Sequence, residues 1–425
     1  MHPAHEVRLG LQANWQQFTL LVVVNAFVGT MVGIERSVLP LVAEREFGLA
    51  ASAAALAYVG AFGLAKAVLN LVAGRLSEAW GRKRVLVLGW LIGLPVPPLL
   101  MWAPSWEWIV GANLLLGINQ GLAWSMTVNM KVDLVGPRQR GLALGLNEFA
   151  GYLAVGLAAF AAAQVAEAYG LRPWPFVIAL VAAVLGLSAS TLLVRDTSQH
   201  VAAEQPDGVV GLPFRDVFAR TSWTDRSLFA ASQAGLVNNL NDGVAWGLLP
   251  LVWSAQGLGL PDIGLLAAAY PVIWGVGQLG AGALSDRLGR KPLVVVGMLV
   301  QAAGIWTALL SIGVGQKLGG VAALGVGTAL VYPTLIAAVS DRAAPGWRAS
   351  AVGVYRFWRD GGFLLGAIGA GLLAQAIAPA TAVHAVAAGT LASGVVAWVV
   401  MRETLQRSTR VGSAHAALKT RVVNG

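Results

Sequence analysis

Eight charged side chains lie inside the long apolar stretches of this sequence, and they are the residues best placed to do chemistry. On insertion scales each charge within hydrocarbon costs about 2.5–3.5 kcal/mol, so each one needs a structural or functional reason. These four acids and four bases are Glu35, Arg36, Lys66, Glu148, Asp242, Arg356, Arg359 and Asp360. A balanced set of this kind can form paired networks, carry protons or bind a charged solute.

Asp242 is the acid with the strongest case for handling a proton or a solute. Asn238, Asn241 and Asp242 lie on nearly one face of a predicted helix, and no base lies within one helical turn of Asp242. This carboxyl group must therefore find a distant base or take up a proton. Structural pairing is the alternative reading, as it is for Arg356 and Asp360, whose spacing of four residues allows an ion pair along one helix.

Three of the bases are arginines, whose guanidinium groups suit anion binding. Arg36, Arg356 and Arg359 could clamp a carboxylate or a phosphate by bidentate hydrogen bonds. The structural alternatives are that Glu35 and Arg36 are solvated near the membrane surface, and that Lys66 extends its ammonium group towards water.

A polar stripe on another predicted helix faces either a cavity or neighbouring helices. Asn113, Gln120, Trp124 and Thr127 recur at spacings of seven, four and three residues, which places them on one helical face. Such a stripe lines a polar cavity or forms hydrogen bonds between helices. The candidate cavity residues beyond the charged set are Asn113, Gln120, Trp124, Tyr152 and Asn238.

The composition indicates a membrane protein. The 425 residues are 57% hydrophobic and 12% charged, with a mean hydropathy of +0.68, whereas soluble domains are about 25% charged. The net charge of +9 is spread over short loops, which indicates membrane topology and no nucleic-acid partner. The absence of cysteine and five scattered histidines predict no metal site and no cofactor. The sequence has none of the nucleotide-binding, serine-elbow or zinc-protease motifs, so we predict no enzyme activity.

A charged block occurs twice, between apolar runs, and divides the chain into two related halves. Gly74–Arg84 reads GRLSEAWGRKR and Gly282–Pro292 reads GALSDRLGRKP, an offset of 208 residues. We expect Gly74 and Gly81 to let the backbone turn sharply. The same offset relates Asp133 to Asp341 and Glu148 to Arg356. We therefore expect two copies of one architecture, with Glu148 and Arg356 meeting near the axis between them.

Apolar runs separated by helix breakers predict twelve membrane helices, near 17–41, 51–73, 85–103, 106–130, 141–164, 172–194, 226–254, 262–281, 293–313, 318–340, 349–373 and 380–401. The predicted domains are residues 1–194, a linker at 195–225, residues 226–401 and a tail at 402–425. Lysine and arginine concentrate on one side of this arrangement, which predicts that both termini and both blocks are cytoplasmic.

The repeated block G-x-L-S-[DE]-x-x-G-R-K resembles that of major facilitator superfamily transporters, and the resemblance extends over essentially the whole chain. It implies two six-helix bundles that alternate between inward-open and outward-open states, with the acid of the block latching them together. The latch residues are Gly74, Glu78, Gly81, Arg82, Asp286, Gly289 and Arg290. Glu78 stands where the family most often has aspartate, so we expect this copy to latch less tightly.

Two departures from the family bear on function. Asn113 stands where the family normally has an arginine linked to proton coupling, so that role does not transfer. The segment Ala150–Tyr152 lacks the glycine-proline signature of many drug antiporters, which argues against efflux.

The sequence thus predicts an all-α integral membrane protein with 12 transmembrane helices in two pseudo-symmetric bundles. The leading hypothesis is a monomeric secondary transporter in the bacterial inner membrane that moves a small organic solute, expected to be an anion, with protons. The alternative is a proton-driven exporter of drugs or amphiphilic cations, and a third class is a non-transporting sensor or assembly partner.

Overall fold

The computed structural model describes residues 7–49, 51–204 and 211–405, apart from some side chains, including that of Arg36. Within these ranges the chain is helical and contains no strand. The first half forms α1 (Trp15–Phe47), α2 (Ala51–Trp80), α3 (Arg82–Gly93), α4 (Val96–Met101), α5 (Trp106–Asn119), α6 (Ser125–Val135), α7 (Arg140–Tyr169) and α8 (Trp174–Leu192). Most of the predicted tail lies outside the described residues.

The connection between the halves contains two short helices, α9 (Ser198–Glu204) and α10 (Phe214–Ala219), where we expected only an irregular linker. The second half forms α11 (Arg226–Gly243), α12 (Leu249–Ala255), α13 (Leu260–Leu288), α14 (Arg290–Leu310), α15 (Val314–Arg342), α16 (Arg348–Ala376) and α17 (Pro379–Val400). Helices therefore occupy all the predicted apolar runs.

Nine helices among the described residues are long and apolar enough to cross a membrane. Helices of this kind do not occupy the predicted segments at 106–130, 226–254 and 349–373 within the described chain. The first two segments are interrupted by π-helical turns at Gln120–Trp124 and Val244–Leu248. The third segment, in α16, carries Arg356, Arg359 and Asp360.

Most of the repeated block is helical, which corrects the expected turn at Gly74. Helix α2 continues to Trp80 and α13 to Leu288, so the predicted helix ends at 73 and 281 were too early. The chain turns instead at Gly81 and Gly289, whose φ angles are 90° and 112°. These left-handed angles favour glycine because it has no Cβ.

Gly74 serves close packing between the two halves. The main contacts between the halves are α2 against α16 and α13 against α7, and the 208-residue offset converts one pair into the other. A Cβ at Gly74 would lie 2.3 Å from the carbonyl oxygen of Ala349, and one at Gly282 would lie 2.3 Å from that of Gly141. Small residues of this kind let helix backbones approach closely. The blocks thus bring the halves together at one end of the molecule, the block end.

Replacing Gly74 tests this contact. Gly74→Ala would force α2 and α16 apart, and we expect a loss of about 1–3 kcal/mol of stability, the usual cost of overpacking. Gly60→Ala is the matched control in the same helix, because a Cβ there would meet nothing within 4 Å. Melting temperatures of the detergent-purified variants should fall for Gly74→Ala only. Equal melting of the two variants would contradict the assignment.

Candidate functional site

A cavity of 370 Å³ lies between the two halves near the middle of the helices. Its walls are Val32, Phe62, Lys66, Gln120, Trp124, Tyr152, Val155, Gly156, Pro271 and Trp274. A smaller cavity of 110 Å³ shares Phe62, Lys66, Tyr152 and Trp274 with it, and adds Val59, Gly63, Asn239, Asp242, Asp360 and Phe363. The two spaces adjoin, and Lys66, Asp242 and Asp360 are the charged residues in their walls.

Lys66 is the cationic group of this central cavity. Its ammonium nitrogen lies 4.0 Å from Asp360 Oδ2, 5.7 Å from the ring centre of Phe62 and 5.8 Å from that of Trp124. The charge was visible in the sequence, but Lys66 was not among our predicted binding residues, because its helix position also suits a side chain that reaches towards water. Its position in two cavity walls shows that it faces inwards.

Asp360 is held by groups other than Lys66. Its Oδ1 accepts hydrogen bonds from Arg359 Nε and Nη2 at 2.8 and 2.6 Å, and its Oδ2 accepts one from Asn70 Nδ2 at 2.7 Å. The ion pair within this helix therefore joins adjacent residues, instead of the expected Arg356 and Asp360. Asp360 already accepts three hydrogen bonds from these groups, and none from Lys66 is found among the described residues, so the ammonium group of Lys66 keeps donors available.

The two arginines of α16 lie behind the cavity wall and are not part of it. Arg356 and Arg359 are each 1% exposed. The Arg359 guanidinium lies 4.8 Å from the ring centre of Tyr332. Arg356 Nε and Nη1 have no hydrogen-bond partner among the described residues. Of the predicted arginine clamp, Arg36 has no described side chain, so the structure places only two members, near Asp360.

Asp242 faces the smaller cavity, while its neighbours bind other helices. The Tyr270 hydroxyl donates to Asp242 Oδ1 at 2.5 Å. Asn241 instead donates to Gln301 Oε1 at 2.8 Å and accepts from the Thr390 hydroxyl at 2.7 Å. Asn238 is also buried. The π-helical turn at Val244–Leu248 follows directly, an interruption that is frequent near functional sites.

The polar stripe of α5 and α6 divides between the cavity and the helix contacts. Gln120 and Trp124 lie in the cavity wall and belong to the π-helical turn. Thr127 donates to Asn25 Oδ1 at 2.8 Å, a contact between helices. Asn113 lines a separate small space of 10 Å³ together with Glu35. Glu35 is only 3% exposed, so the alternative of a solvated side chain does not hold for this residue.

Glu148 belongs to a hydrogen-bonded network beneath Trp124. It accepts from Trp124 Nε1 at 3.1 Å and from Asn147 Nδ2 at 2.8 Å. Lys131, one residue beyond the predicted helix at 106–130, is fully buried and donates to Asn147 Oδ1 at 2.5 Å. Arg356, the expected direct partner of Glu148, makes no hydrogen bond to it among the described residues, and Arg356 Nε and Nη1 lack a partner there.

Aromatic side chains from both halves meet beside the cavity. The Tyr152 and Tyr332 hydroxyls are 3.1 Å apart, and the ring centres of Tyr152 and Trp274 are 4.5 Å apart. Trp274 also stacks on Tyr270 with a separation of 5.9 Å between ring centres. Within the described residues, no group of three His, Asp or Glu side chains is placed to hold a metal ion.

At the block end, each repeated acid binds the first turn of a helix in the other half. Glu78 accepts from the backbone N–H of Ser350 at 2.8 Å and from its hydroxyl at 2.6 Å. Asp286 accepts from the backbone N–H groups of Gly141 and Leu142 at 3.0 and 2.9 Å. Helix N-termini attract carboxylates because their N–H groups are unpaired. The two acids thus join the halves reciprocally.

Ion pairs surround these contacts, again in two related copies. Arg82 donates to Asp133 at 3.2 Å, and Arg290 donates to Asp341 at 2.9 Å. Arg140, from the first half, reaches across to Asp341 at 2.9 Å. Arg290 also pairs with Asp286 at 2.7 Å. Gly81 and Gly289 end the helices that carry the acids. The bonds between the two halves close this end of the molecule.

Glu204 from the linker adds a third component to the closed end. It accepts from Arg348 at 2.7 and 2.8 Å and also binds Arg140, so it bridges both halves. Burial acts to raise the pKa of Glu204, but the two arginines outweigh it and lower this pKa below its ordinary value. No pattern in the sequence indicated this contact, because linker residues have no repeat partner.

Comparison with known proteins identifies the architecture. The sequence model of the Major Facilitator Superfamily matches residues 20–237 and 231–423. An uncharacterised MFS-type transporter of Salmonella typhimurium is 23% identical over 350 residues, covering 77% of this chain and 82% of that protein. The human organic anion transporter TETRAN has a TM-score of 0.71 at 16% identity, covering 90% of this chain and 99% of that chain. The Escherichia coli fucose:proton symporter FucP has a TM-score of 0.73 at 13% identity, covering 91% and 98%.

Removing the charge of Glu204 tests its role at the closed end. Glu204→Gln removes the charge that bridges Arg140 and Arg348, so the attraction between the halves is weaker and we expect the block end to open more often. Because the chain has no cysteine, spin labels can be attached after Arg84→Cys and Pro292→Cys, two exposed positions related by the repeat. The distance distribution between the labels should shift to longer values.

The pH dependence and the control follow from the same bond. Because the pKa of Glu204 is lowered on folding, its stabilisation is fully present above the ordinary glutamate pKa of about 4.3. That stabilisation is lost as the pH falls through the lowered value, so wild type should open at acid pH and Glu204→Gln, which keeps only the other acids of this end, should respond less. Glu167→Gln, an exposed acid at the opposite end, is the control. Unchanged distances in Glu204→Gln would refute the bridge.

Proposed function

The chain belongs to the major facilitator superfamily, and we propose that it moves a small organic anion together with a proton by alternating access. It is a multi-pass membrane transporter and not an enzyme. The observation that carries the anion proposal is the position of Lys66. Its ammonium group lies in the wall of both central cavities, and its nearest acid, Asp360, is already bound by Arg359 and Asn70.

The charge balance of the cavity wall supports coupling to a proton. Asp360 and Arg359 neutralise each other as a direct ion pair. Lys66 and Asp242 then leave the wall neutral overall when both are charged. Protonation of Asp242 makes the wall positive by one charge, which favours entry of one anion. With a proton on Asp242 and an anion on Lys66, the wall is neutral again. Each binding event therefore favours the other.

The closed block end supports the alternating part of the proposal. Glu78 and Asp286 tie the halves together only where α2 meets α16 and α13 meets α7. Breaking these reciprocal bonds would open the central cavity towards the block end. Glu78 binds one backbone N–H and a hydroxyl, whereas Asp286 binds two backbone N–H groups. A weaker latch at Glu78 stays a prediction.

The membrane arrangement remains part of the proposal. We infer twelve spans in two six-helix bundles, residues 1–194 and 226–401, joined by a linker at 195–225 and followed by a tail at 402–425. The three segments beyond the nine apolar helices carry the π-helical turns and the α16 charges, which suit helices that line a cavity. The concentration of basic residues in the loops on one side supports cytoplasmic termini, and we propose a monomer in the bacterial inner membrane.

Export of amphiphilic cations is the second candidate function. Two carboxylates, Asp242 and Asp360, and several aromatic rings line the central space, and both favour cations. Lys66 opposes this reading, since its own charge would repel a cation. The anion and proton activities in the names of TETRAN and FucP are consistent with the first candidate, although their likeness to this chain concerns the fold.

Ligand-induced stabilisation separates the two candidates. Purified protein should be melted with carboxylates, phosphate esters and sulfonates, and with lipophilic cations such as tetraphenylphosphonium. We expect anions to raise the melting temperature. Lys66→Gln should weaken anion binding about tenfold or more, because hydrogen bonds to charged groups contribute about 1.5–3 kcal/mol.

Two further variants control this experiment. Lys66→Arg should keep part of the anion affinity, because the charge is retained. Lys83→Gln, in the repeated block and remote from the cavity, should behave as wild type. Stabilisation by cations alone, or equal anion affinity in Lys66→Gln and wild type, would overturn the proposed function.

A further inference from the structure

The walls of the larger cavity are unusually aromatic. Four of its ten lining residues are Phe62, Trp124, Tyr152 and Trp274. Trp124 and Tyr152 meet edge to face with 5.6 Å between ring centres, and Tyr152 continues to Trp274 at 4.5 Å. Rings from both halves thus form one continuous surface beside Lys66.

Trp274 is fixed in place before any ligand binds. Its ring contacts Tyr152, Tyr270 and Tyr332, with the last at 5.4 Å between centres. It is only 2% exposed, and its indole nitrogen has no hydrogen-bond partner among the described residues. A rigid aromatic wall binds a flat ligand without first losing conformational freedom. Flat faces also favour offset-stacked or edge-to-face partners.

The polar groups of this cavity are mostly engaged already. Gln120 Nε2 donates to the carbonyl oxygen of Val28 at 2.8 Å, and Trp124 Nε1 donates to Glu148 at 3.1 Å. The Tyr152 hydroxyl is bonded to that of Tyr332. A sugar or another polyhydroxylated solute would therefore bury hydroxyl groups without partners, which is costly. Lys66 remains as the charged donor, beside apolar rings.

We propose that the solute is a planar aromatic anion, with its carboxylate on Lys66 and its ring against the aromatic lining of Phe62, Trp124, Tyr152 and Trp274. This inference rests on the proposed function, because it specifies the kind of anion that binds. The cavity volume of 370 Å³ lies in the range of small-molecule sites. Phe62, Trp124 and Tyr152 belong to the first half and Trp274 to the second. One ligand ring therefore contacts both halves, and its binding is sensitive to the closure of the halves.

Pairs of carboxylates that differ only in their ring test this inference. Benzoate and cyclohexanecarboxylate have equal charge and similar size, but only benzoate has a flat π-system. Calorimetric titration of the purified protein should give at least about fivefold tighter binding for benzoate, from aromatic contacts beyond burial alone. A 2-naphthoate and decalin carboxylate pair repeats the comparison for a larger ring.

Variants of Trp274 assign that preference to a wall. Trp274→Leu should reduce the benzoate preference to about twofold or less, and Trp274→Phe should retain most of it, which covers the case that the leucine variant folds poorly. Trp102→Leu, at a tryptophan that is 69% exposed, is the control. An unchanged preference in Trp274→Leu would overturn the assignment of this wall.

The outcomes distinguish this inference from the proposed function. Equal affinity for benzoate and cyclohexanecarboxylate, with both lost in Lys66→Gln, would refute the aromatic solute and leave the anion transporter intact. Binding of tetraphenylphosphonium without binding of any carboxylate would refute both. Tight binding of a neutral sugar such as fucose would likewise overturn the aromatic assignment.

Discussion

The reciprocal binding of two acids to two helix N-termini is the interaction on which the observed closure depends. Glu78 and Asp286 each accept backbone N–H groups from the opposite half. These bonds form only because glycines let the helix backbones approach, with Gly74 against Ala349 and Gly282 against Gly141. Backbone packing and electrostatics therefore change together, so the halves have a closed arrangement that is lost as a unit.

The centre of the molecule obeys a different constraint, because charges buried among apolar helices need partners. Asp360 obtains them from Arg359 and Asn70, which leaves Lys66 as a cation held only at 4.0 Å. A buried group that lacks tight pairing is free to bind a solute, at the cost of stability in its absence. The closed end thus covers a site in which the charge of Lys66 has no tight partner. Opening and closing of that end can therefore change both the access of a solute to the site and its affinity.

Much of this arrangement was predictable where the sequence repeats itself. The 208-residue offset identified the block, Asp133 with Asp341, and the two halves. The offset could not reveal Glu204, which has no counterpart, nor the direction in which Lys66 points, because a lysine in an apolar run reaches either a cavity or water. Gly74 was misread as a turn, since a glycine that permits close helix packing and one that ends a helix look alike without their neighbours. Helical spacing placed Asp242 and Trp124 on polar helix faces, and both residues line the central cavities. The π-helical turns at Gln120–Trp124 and Val244–Leu248 could not be predicted from that spacing.

Proton uptake on ligand binding tests the central claim, that an anion on Lys66 and a proton on Asp242 bind together. Benzoate would be added to purified protein in weakly buffered detergent solution near neutral pH, with a pH indicator reporting protons. We predict uptake of about one proton per bound anion in wild type and none in Asp242→Asn, which should still bind benzoate. Binding without proton uptake in wild type, or equal uptake in Asp242→Asn, would contradict the coupling.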